Sequence, residues 1–561
     1  MNNFQQSTEQ KQSLIAHLRK NIVGDNTFIQ TAFGKRKLTY ADYTASGRSL
    51  HFIEQAILHY VLPYYANTHT ESTITGKQTT CFREDARQII QKSVNATDDD
   101  LVLFCGSGAT AAINKLISLL NLPLLTQEHG TKPIVFIGPY EHHSNDLPWR
   151  EADVELIRIP EVQTGGVDIN ALENALIRYQ DRPIKIGSFS AASNVTGIKT
   201  DQTAITRLLH EHNALSFWDF AAAAPYVDID MNPNLPKALS SDSSLLHKDA
   251  IFLSCHKFIG GPGTPGILII KKHLIKNTIP STVGGGTVSF VSHNKHNYLP
   301  IGTRREEGGT PNIVESIRAG MVFKVKADIG AEYIEMLEKN YLDQIEQRWR
   351  NHDKIEILGA DTRDRLTITS FRIKAAHNYL HHGYIVALLN DLFGIQMRGG
   401  CSCAGPYGHE LLGLDDQTSA AITEALSKGR SILKPGWTRF NLNYFLTQEE
   451  VNFILDAVEF VAEQGIKLLP YYEYHEISDL WLFQGKHRPT RSLESVLQDT
   501  LSLQDEVTDS QKRILWQSYL KQAENVVAAN NLPQYQKCNQ PFNSEFETLR
   551  EFVLSKDFDI V

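Results

Sequence analysis

The sequence predicts an α/β protein whose large domain is a mainly parallel sheet with helices on both faces. Between about residues 49 and 320, short apolar runs alternate with helical stretches, and the predicted strands are residues 134–137, 155–159, 185–188, 215–218, 251–253 and 266–270. Short apolar strands between helices are typical of such sheets. Ligands bind beyond the carboxyl ends of the strands. The polar residues that follow predicted strands, Asn194, Asp219 and Lys257, are therefore the first candidates for a functional site.

The chain divides into four predicted segments. These are an N-terminal segment that packs with the smaller domain, a large α/β domain, a smaller α+β domain and a helical C-terminal extension, at residues 1–48, 49–318, 319–467 and 468–561. A long helix from about Ala319 leads into the smaller domain. The extension is expected to contain helices at 492–503 and 510–528, and its aromatic residues indicate packing rather than disorder.

Lys257 lies where a short apolar strand meets a glycine-rich turn, residues 260–263. The amine of a lysine held there can form a Schiff base with pyridoxal phosphate (PLP). Ser254 and His256 are neighbouring donors of the kind that a phosphate needs. On this motif alone, an exposed lysine in an ordinary strand-to-loop turn is an equally good interpretation.

Two segments upstream favour the PLP interpretation. Asp219 ends an apolar strand, where a carboxylate could keep the pyridine nitrogen of PLP protonated. The small residues 221–224 follow it and would let a flat ring lie close. Earlier in the chain, a strand runs through a glycine-rich turn into a helix, and the backbone N–H groups at that helix start, at Gly108, Ala109 and Thr110, suit a phosphate.

Further motifs surround this core pattern. They are Glu141–Asn145 (Glu-His-His-Ser-Asn), Ser193–Gly197 (Ser-Asn-Val-Thr-Gly), Gly308–Asn312 (Gly-Gly-Thr-Pro-Asn) and Trp437–Asn441 (Trp-Thr-Arg-Phe-Asn). Together with the segments around Asp219 and Lys257, they resemble the class V aminotransferases of fold type I, the group that includes cysteine desulfurases and selenocysteine lyases. The resemblance covers roughly residues 40–466.

The resemblance implies a fold type I PLP-dependent transferase that acts as a homodimer on an amino-acid substrate. It implies that His142 stacks on the PLP ring, that Arg439 grips the substrate carboxylate and that Asn194 meets both cofactor and substrate. The turn around Thr310 would serve the phosphate of a neighbouring subunit. The cofactor-binding set is then Gly108, Ala109, Thr110, His142, Asn194, Asp219, Ala221, Ser254, His256, Lys257 and Thr310.

The loop Arg398–Ala404 (Arg-Gly-Gly-Cys-Ser-Cys-Ala) bears on the reaction. It resembles the Arg-x-Gly-x-x-Cys-Ala loop of desulfurases, in which the cysteine takes the substrate sulfur as a persulfide, and that position falls on Cys403. The additional Cys401 resembles the version found in molybdenum-cofactor sulfurases. The implied function is abstraction of sulfur or selenium from an amino acid, with Lys257, Cys403 and His142 as catalytic residues and a sulfur-acceptor protein as a partner.

Other functions stay open on the sequence. Ala222 stands where the family usually has Gln, and the segment 405–433 is longer than expected and could gate the site. An aminotransferase, epimerase or lyase would use the same cofactor without Cys403, and a binding or regulatory subunit would show little turnover. A metal site of Cys401, Cys403 and His409 would place all its ligands in one short loop, so no metal is predicted.

Composition limits the class of protein further. The net charge of −9 with both signs mixed offers no basic patch for nucleic acid. Six cysteines at irregular positions do not make a disulfide framework, and residues 1–12 lack the apolar core of a signal peptide. No stretch is expected to reach the roughly 18–20 apolar residues of a membrane span. These observations predict a cytoplasmic protein with no membrane partner.

Overall fold

The structure is a computed structural model that describes residues 8–68, 70–233, 244–359, 361–362, 364–487, 490, 492–493, 496, 508–528, 547–554 and 557. Its α-helices, in chain order, are α1 Thr8–Lys20, α2 His51–Ala56, α3 Ile74–Ser93, α4 Gly108–Leu120, α5 Leu122–His129, α6 His143–Glu151, α7 Ile169–Arg178, α8 Gln202–Glu211, α9 Thr303–Glu306, α10 Ile313–Ile329, α11 Ala331–Trp349, α12 His382–Leu388, α13 Gly405–Leu412, α14 Asp416–Ser427, α15 Gln448–Gln464 and α16 Asp509–Ala528.

The strands, in chain order, are β1 Phe28–Thr31, β2 Gly34–Lys37, β3 Thr39–Tyr40, β4 Asp100–Cys105, β5 Ile134–Ile137, β6 Glu155–Arg158, β7 Lys185–Ser190, β8 Leu215–Asp219, β9 Ala250–Ser254, β10 Gly266–Lys271, β11 Val288–Val291, β12 His296–Tyr298, β13 Ile355–Ile357, β14 Ile368–Ala375, β15 Asn378–Tyr379, β16 Ile395–Gln396, β17 Arg398–Gly400, β18 Trp437–Asn441, β19 Tyr472–His475 and β20 Leu480–Phe483.

The chain folds into two compact units. The large unit comprises residues 1–22, 43–337 and 360–366, and the small unit comprises residues 23–42, 338–359 and 367–561. The four-segment division predicted from the sequence stays a prediction. The long helix expected from about Ala319 is in fact two helices, α10 and α11, because Gly330 adopts a left-handed φ of +86° between them.

The large unit is built on a seven-stranded sheet in the order β4-β10-β9-β8-β7-β5-β6. Strand β10 runs antiparallel to both of its neighbours, whereas β9, β8, β7, β5 and β6 are parallel. Strands β4, β5, β7, β9 and β10 are buried along their whole length, as expected for strands that helices cover on both sides. The predicted α/β class with a mainly parallel sheet is confirmed.

One segment bears on the expectation that no stretch could span a membrane. By length and composition alone, Gly108–His129 is long and apolar enough, with 22 residues and a mean hydropathy of 1.3. Asn121, at a left-handed φ of 51°, divides the segment into α4 and α5. Ile113 and Leu116 are fully buried in the core with residues of the central sheet. The apolar character of the segment is therefore explained by its place in the core of the large unit.

The small unit contains an antiparallel sheet in the order β13-β14-β18-β17, with β15 added to β14. Trp349, Phe371 and Phe440 meet in its core, with ring centroids 5.5–5.9 Å apart. Helix α15 begins with a capping box, in which Thr447 and Glu450 bond each other's backbone N–H groups.

The C-terminal extension packs on the small unit through α16. The Trp516 ring stacks on Phe453 with centroids 5.2 Å apart, and the Tyr519 hydroxyl accepts from the Lys37 backbone N–H at 3.1 Å. Lys512 and Lys37 share the Asp25 carboxylate. The predicted helix at 510–528 is thus present as α16, and the one predicted at 492–503 lies largely outside the described residues.

A buried ion-pair network joins α3 to β4 in the large unit. The Glu307 side chain is 4% exposed and lies against the guanidinium groups of Arg83 and Arg87, and it also accepts from the Phe104 backbone N–H at 2.8 Å. Burial alone would raise the pKa of Glu307, but the charges of Arg87 and Arg83 outweigh it and hold the pKa below its ordinary value. This stabilisation is present at neutral pH and is lost as the pH falls through the folded-state pKa.

We predict that Glu307→Gln destabilises the protein by about 3–5 kcal/mol, because two buried arginines lose their counter-charge. The control is Glu84→Gln: Glu84 also pairs with Arg87, at 3.0 Å, but its side chain is 46% exposed. It should cost less than about 1 kcal/mol. Urea denaturation of both variants measures the difference, and equal losses would contradict the assigned role of the network.

Candidate active site

Lys257 is held at the carboxyl end of β9 by a tight turn. Residues Cys255–Lys257 form one turn of 3₁₀ helix directly after Ser254. Cys255 is the first residue of this turn and is buried. A β-carbon at Gly261 would lie 2.0 Å from the Cys255 carbonyl oxygen, so the turn can close only over a glycine. The turn fixes where the lysine leaves the sheet.

The start of α4 lies beside this turn. Gly108 has a φ of +59°, and a β-carbon there would lie 3.0 Å from Ser254 Oγ and 3.7 Å from His256 Nε2. The Ala109 backbone N–H donates to Ser254 Oγ at 2.9 Å. A helix N-terminus, a hydroxyl and an imidazole therefore surround one small space. This set of donors, with the helix dipole behind it, fits a phosphate.

His256 is a neutral donor in this group. Burial, together with the positive charge of Lys257, lowers the pKa of His256 to about 4. At neutral pH its ring is therefore uncharged and has one N–H to donate. The Lys257 turn also contacts the segment that follows β3 in the chain, because Gly47 N donates to the His256 carbonyl oxygen at 2.8 Å.

Asp219 lies at the carboxyl end of β8, next to β9 in the sheet. Its side chain is buried, and Oδ1 accepts from the Ala221 backbone N–H at 2.7 Å. Burial raises the pKa of Asp219, whereas the Ala221 hydrogen bond and the positive charge of Lys257 act in the opposite direction. Lys257 is thus near both Asp219 and His256.

These groups match the chemistry of PLP. A buried carboxylate suits a protonated pyridine nitrogen, a lysine amine suits the aldehyde, and the α4 start with Ser254 and His256 suits the phosphate. Ala221 is 9% exposed and presents only a methyl group beside Asp219. The residues present in the large unit therefore fit the cofactor.

His142 is the N-cap of α6 and is fixed in one tautomer. Its Nδ1 accepts from the Ser144 backbone N–H at 3.1 Å, so the proton of the neutral ring is on Nε2. The Ser144 hydroxyl also bonds Thr110 Oγ1 at 2.6 Å. The structure thus brings the predicted ring-stacking residue and the predicted phosphate contact into one cluster.

Glu141 is a positioning residue to which the sequence assigned no role. Its buried carboxyl group accepts from Ser190 N at 3.0 Å and from Ser190 Oγ and Asn145 Nδ2, both at 2.6 Å. Burial raises the pKa of Glu141 to about 7, although the bonds from Ser190 and Asn145 oppose the shift. These bonds fasten the segment that carries His142 to the end of β7. An acid four residues after the apolar strand β5 was the available signal.

Asn194 and Thr310 differ in their surroundings. Asn194 is 6% exposed and follows β7 in a turn that Ser193 stabilises, since Ser193 Oγ accepts from the N–H groups of Val195 and Thr196 at 3.1 Å. Thr310 is exposed on its turn, where its hydroxyl accepts from Asn67 at 3.3 Å. The buried cluster around Lys257 and the exposed Thr310 are therefore separate features of the large unit.

The small unit holds the remaining candidates around one carboxylate. Arg398 on β17 and Arg439 on β18 are paired in register, and both contact Asp42, at 3.2 and 3.4 Å. Burial lowers the pKa of Arg439, Asp42 opposes this shift, and the Cys403 thiol is close enough to oppose it as well. Cys403 thus lies in the turn that follows β17, next to the strand that carries Arg439. Asp42 was not predicted as a site residue, because nothing in its local sequence links it to two arginines more than 350 residues away.

Cys403 is presented by a turn with unusual backbone. Ser402 and Cys403 have left-handed φ values of 53° and 57°, and Gly400 precedes them at 118°. Such conformations cost about 1–3 kcal/mol at residues other than glycine and often accompany function. Cys403 is exposed and Cys401 is half-buried. The long segment after this turn folds into α13 and α14.

Comparison with known proteins agrees with this geometry. The family model for aminotransferase class V matches residues 39–453. A probable cysteine desulfurase of Staphylococcus epidermidis is 25% identical over 396 residues, which cover 69% of this chain and 88% of the relative. A second one, from Halalkalibacterium halodurans, is 27% identical over 373 residues, covering 66% and 84%.

The fold has a counterpart among solved structures. The apo structure of a cysteine desulfurase from Thermococcus onnurineus has a TM-score of 0.64 and 22% identity, and it covers 80% of this chain and 98% of its own. This likeness concerns the fold, whereas the family match concerns the sequence. The chain therefore belongs to the class V aminotransferase family of PLP-dependent enzymes.

Proposed function

We propose that this protein is a cysteine desulfurase-like enzyme that transfers sulfur, or selenium, from an amino acid to Cys403. The observation that carries the proposal is the exposed Cys403 in the turn that follows β17, the strand paired in register with β18, which holds the buried Arg439. A carboxylate-binding group beside a thiol is what the transfer requires. The relatives named probable cysteine desulfurases support the same reaction.

The large unit supplies the cofactor chemistry. Bound PLP provides an electron sink for carbanions at the substrate α-carbon. Lys257 would bind the cofactor and, once the substrate amine displaces it, would take the α-proton on Nζ. Asp219 would keep the proton on the pyridine nitrogen. His142 would lie on the ring face, and Asn194 would contact cofactor and substrate.

The small unit would hold the substrate and accept the sulfur. A planar guanidinium can bind a carboxylate through two parallel N–H donors, so Arg439 could bind the substrate carboxylate. Asp42 would then keep the buried charge of Arg439 compensated between turnovers. Arg398 bonds the other oxygen of Asp42 and holds this carboxylate in place.

The transfer of sulfur to Cys403 needs no external oxidant or reductant. The Cys403 thiolate attacks the sulfur of L-cysteine, an S–S bond forms and the C–S bond breaks. The electron pair of the broken bond passes to the substrate carbon, which takes up a proton, so that alanine leaves and Cys403 carries a persulfide. A sulfur-acceptor protein would remove the persulfide at the exposed loop. Because a free, exposed thiol persists in a reducing compartment, we propose a cytoplasmic location.

We predict that Cys403→Ser keeps the cofactor absorbance but lowers alanine formation from L-cysteine at least about 100-fold, because the nucleophile is lost while Lys257 and Asp219 are unchanged. The persulfide-bearing peptide should disappear from the mass spectrum. Cys401→Ser is the matched control, two residues earlier in the same turn, and should have a smaller effect.

Alanine release at the wild-type rate by Cys403→Ser would overturn the sulfur-transfer proposal. An aminotransferase, epimerase or lyase would then be favoured, and amino-acid products other than alanine would identify which one. A protein that binds PLP and turns over none of the tested amino acids would instead be a binding or regulatory subunit.

We also propose that the active unit is a two-fold homodimer. The large unit exposes bulky apolar side chains on the segment 58–74 and on the hairpin β11–β12; the most exposed include Tyr60, Ile74, Phe290 and Val291, at 60–78%. Surface of this kind is typical of protein interfaces. The exposed turn at Thr310 could then reach the phosphate site of the partner, as in related enzymes.

We predict that the wild-type protein sediments at about twice its chain mass of 63.1 kDa. Phe290→Glu should shift the equilibrium toward monomer and reduce PLP retention, because a charge would enter the interface. Ile477→Glu is the control, since Ile477 is 94% exposed but lies in the small unit. A fully active wild-type monomer at assay concentrations would refute the dimer.

A further inference from the structure

Two histidines and an aspartate form a compact cluster far from Lys257 in the large unit. His210 lies at the end of α8, and His247 and Asp249 directly precede β9. Their ligand atoms all lie within 4.8 Å of one another. Asp249 precedes β9 and Lys257 follows it, so the strand of five residues separates the cluster from the cofactor residues by roughly 16 Å.

Hydrogen bonds fix the tautomers of both rings. His210 Nδ1 lies 2.8 Å from the Leu245 carbonyl oxygen, and His247 Nδ1 lies 2.8 Å from the Ser244 carbonyl oxygen. A carbonyl oxygen can only accept, so each Nδ1 carries a proton. In a neutral ring Nε2 therefore has a lone pair.

Both lone pairs point at the same carboxylate. His210 Nε2 is 2.9 Å from Asp249 Oδ2, and His247 Nε2 is 3.5 Å from Asp249 Oδ1. Lone pairs of nitrogen and carboxylate oxygen repel each other unless a positive charge lies between them. Two added protons would give two imidazolium rings stacked at 4.4 Å, which repel each other in turn. One divalent cation satisfies all three groups at once.

The hydrogen bonds that these three side chains make to groups outside the cluster are also typical of a metal site. Histidine ligands of metals usually donate their other ring N–H to a carbonyl or carboxylate, which both rings do here. Asp249 is 2% exposed, and its Oδ2 also accepts from the Ser216 backbone N–H on β8 at 2.8 Å.

We propose that His210, His247 and Asp249 bind one divalent transition-metal ion of the zinc class. Adjacent ligands of tetrahedral zinc are about 3.3 Å apart for bonds of 2.0–2.1 Å. The His210 Nε2–Asp249 Oδ2 distance is 2.9 Å, and one ligand atom from each residue lies within 4.8 Å of the others, so small side-chain movements reach that spacing. Three protein ligands leave the fourth position to water on the side of His247, whose side chain is 34% exposed. Imidazole with carboxylate favours zinc, nickel or cobalt over calcium and magnesium.

The ion would clamp three elements of the large unit together. His210 is on α8, and Asp249 directly precedes β9. Strand β8 is joined to the cluster because its residue Ser216 donates its backbone N–H to Asp249. The clamp holds the amino ends of the two strands whose carboxyl ends carry Asp219 and Lys257. Its role is structural, so metal should stabilise the fold and need not take part in the reaction.

The test is titration of the PLP-loaded protein with Zn²⁺ by calorimetry, in the Cys401→Ser/Cys403→Ser background because thiols also bind zinc. We expect one equivalent per chain with a dissociation constant in the micromolar range or below. Saturating Zn²⁺ should raise the midpoint of thermal unfolding by about 2–4 °C. His247→Gln should weaken binding at least about tenfold and abolish the thermal shift.

The control is His212→Gln, two residues from His210 at the same helix end, which should bind zinc as the parent does. X-ray absorption of the zinc-loaded parent protein gives a readout that does not depend on a variant folding. It should show nitrogen and oxygen ligands with imidazole scattering. The proposal would be overturned if the Cys401→Ser/Cys403→Ser protein bound no zinc, or if His247→Gln bound it equally well. The cluster would then be held by hydrogen bonds from protonated histidines to Asp249.

Discussion

The candidate site depends on the close approach of two turns, the one before α4 and the one that carries Lys257, and Gly266 makes this approach possible. Gly266, the first residue of β10, pairs with Cys105 on β4 and with Ser254 on β9. Its N–H donates to the Gly106 carbonyl oxygen at 3.0 Å, and a β-carbon there would lie 1.9 Å from the Gly108 carbonyl oxygen. No side chain fits at this position. The antiparallel strand β10 therefore sets the turn that is proposed to bind phosphate directly beside the lysine turn, although the two are about 150 residues apart in the chain.

Buried charge is compensated by a partner of opposite charge at three places among the described residues. In the large unit, Glu307 balances two arginines beneath β4, and Asp219 faces Lys257 at the carboxyl end of the sheet. In the small unit, Asp42 balances Arg398 and Arg439. Each pairing offsets a desolvation penalty of several kcal/mol per ion. The charges that the chemistry needs are thus held in place before any ligand binds.

The sequence predicted the parts of the site that depend on local patterns. Short apolar strands followed by Asp219 or Lys257 are local signals, and the structure has a strand end at each of these positions. The contributions of Gly266 and Asp42 depend on pairing between distant segments, which no local pattern contains. The break of the helix after Ala319 did have a local signal, because Gly330 lies within it. The His210 cluster was missed because its members are up to 39 residues apart and carry no spacing motif.

The central claim is that Lys257, between Asp219 and His256, binds PLP. The most direct test is borohydride reduction of the PLP-loaded protein followed by peptide mapping. The account predicts a phosphopyridoxyl group on Lys257 of the wild-type protein and no such group in Lys257→Ala. The control is Lys115→Ala, which removes another lysine of the large unit, on α4, whose amine donates to the Ser281 hydroxyl. The adduct on Lys257 should be unchanged in this variant. An equally abundant, borohydride-stable adduct in Lys257→Ala would contradict the assignment of the cofactor site.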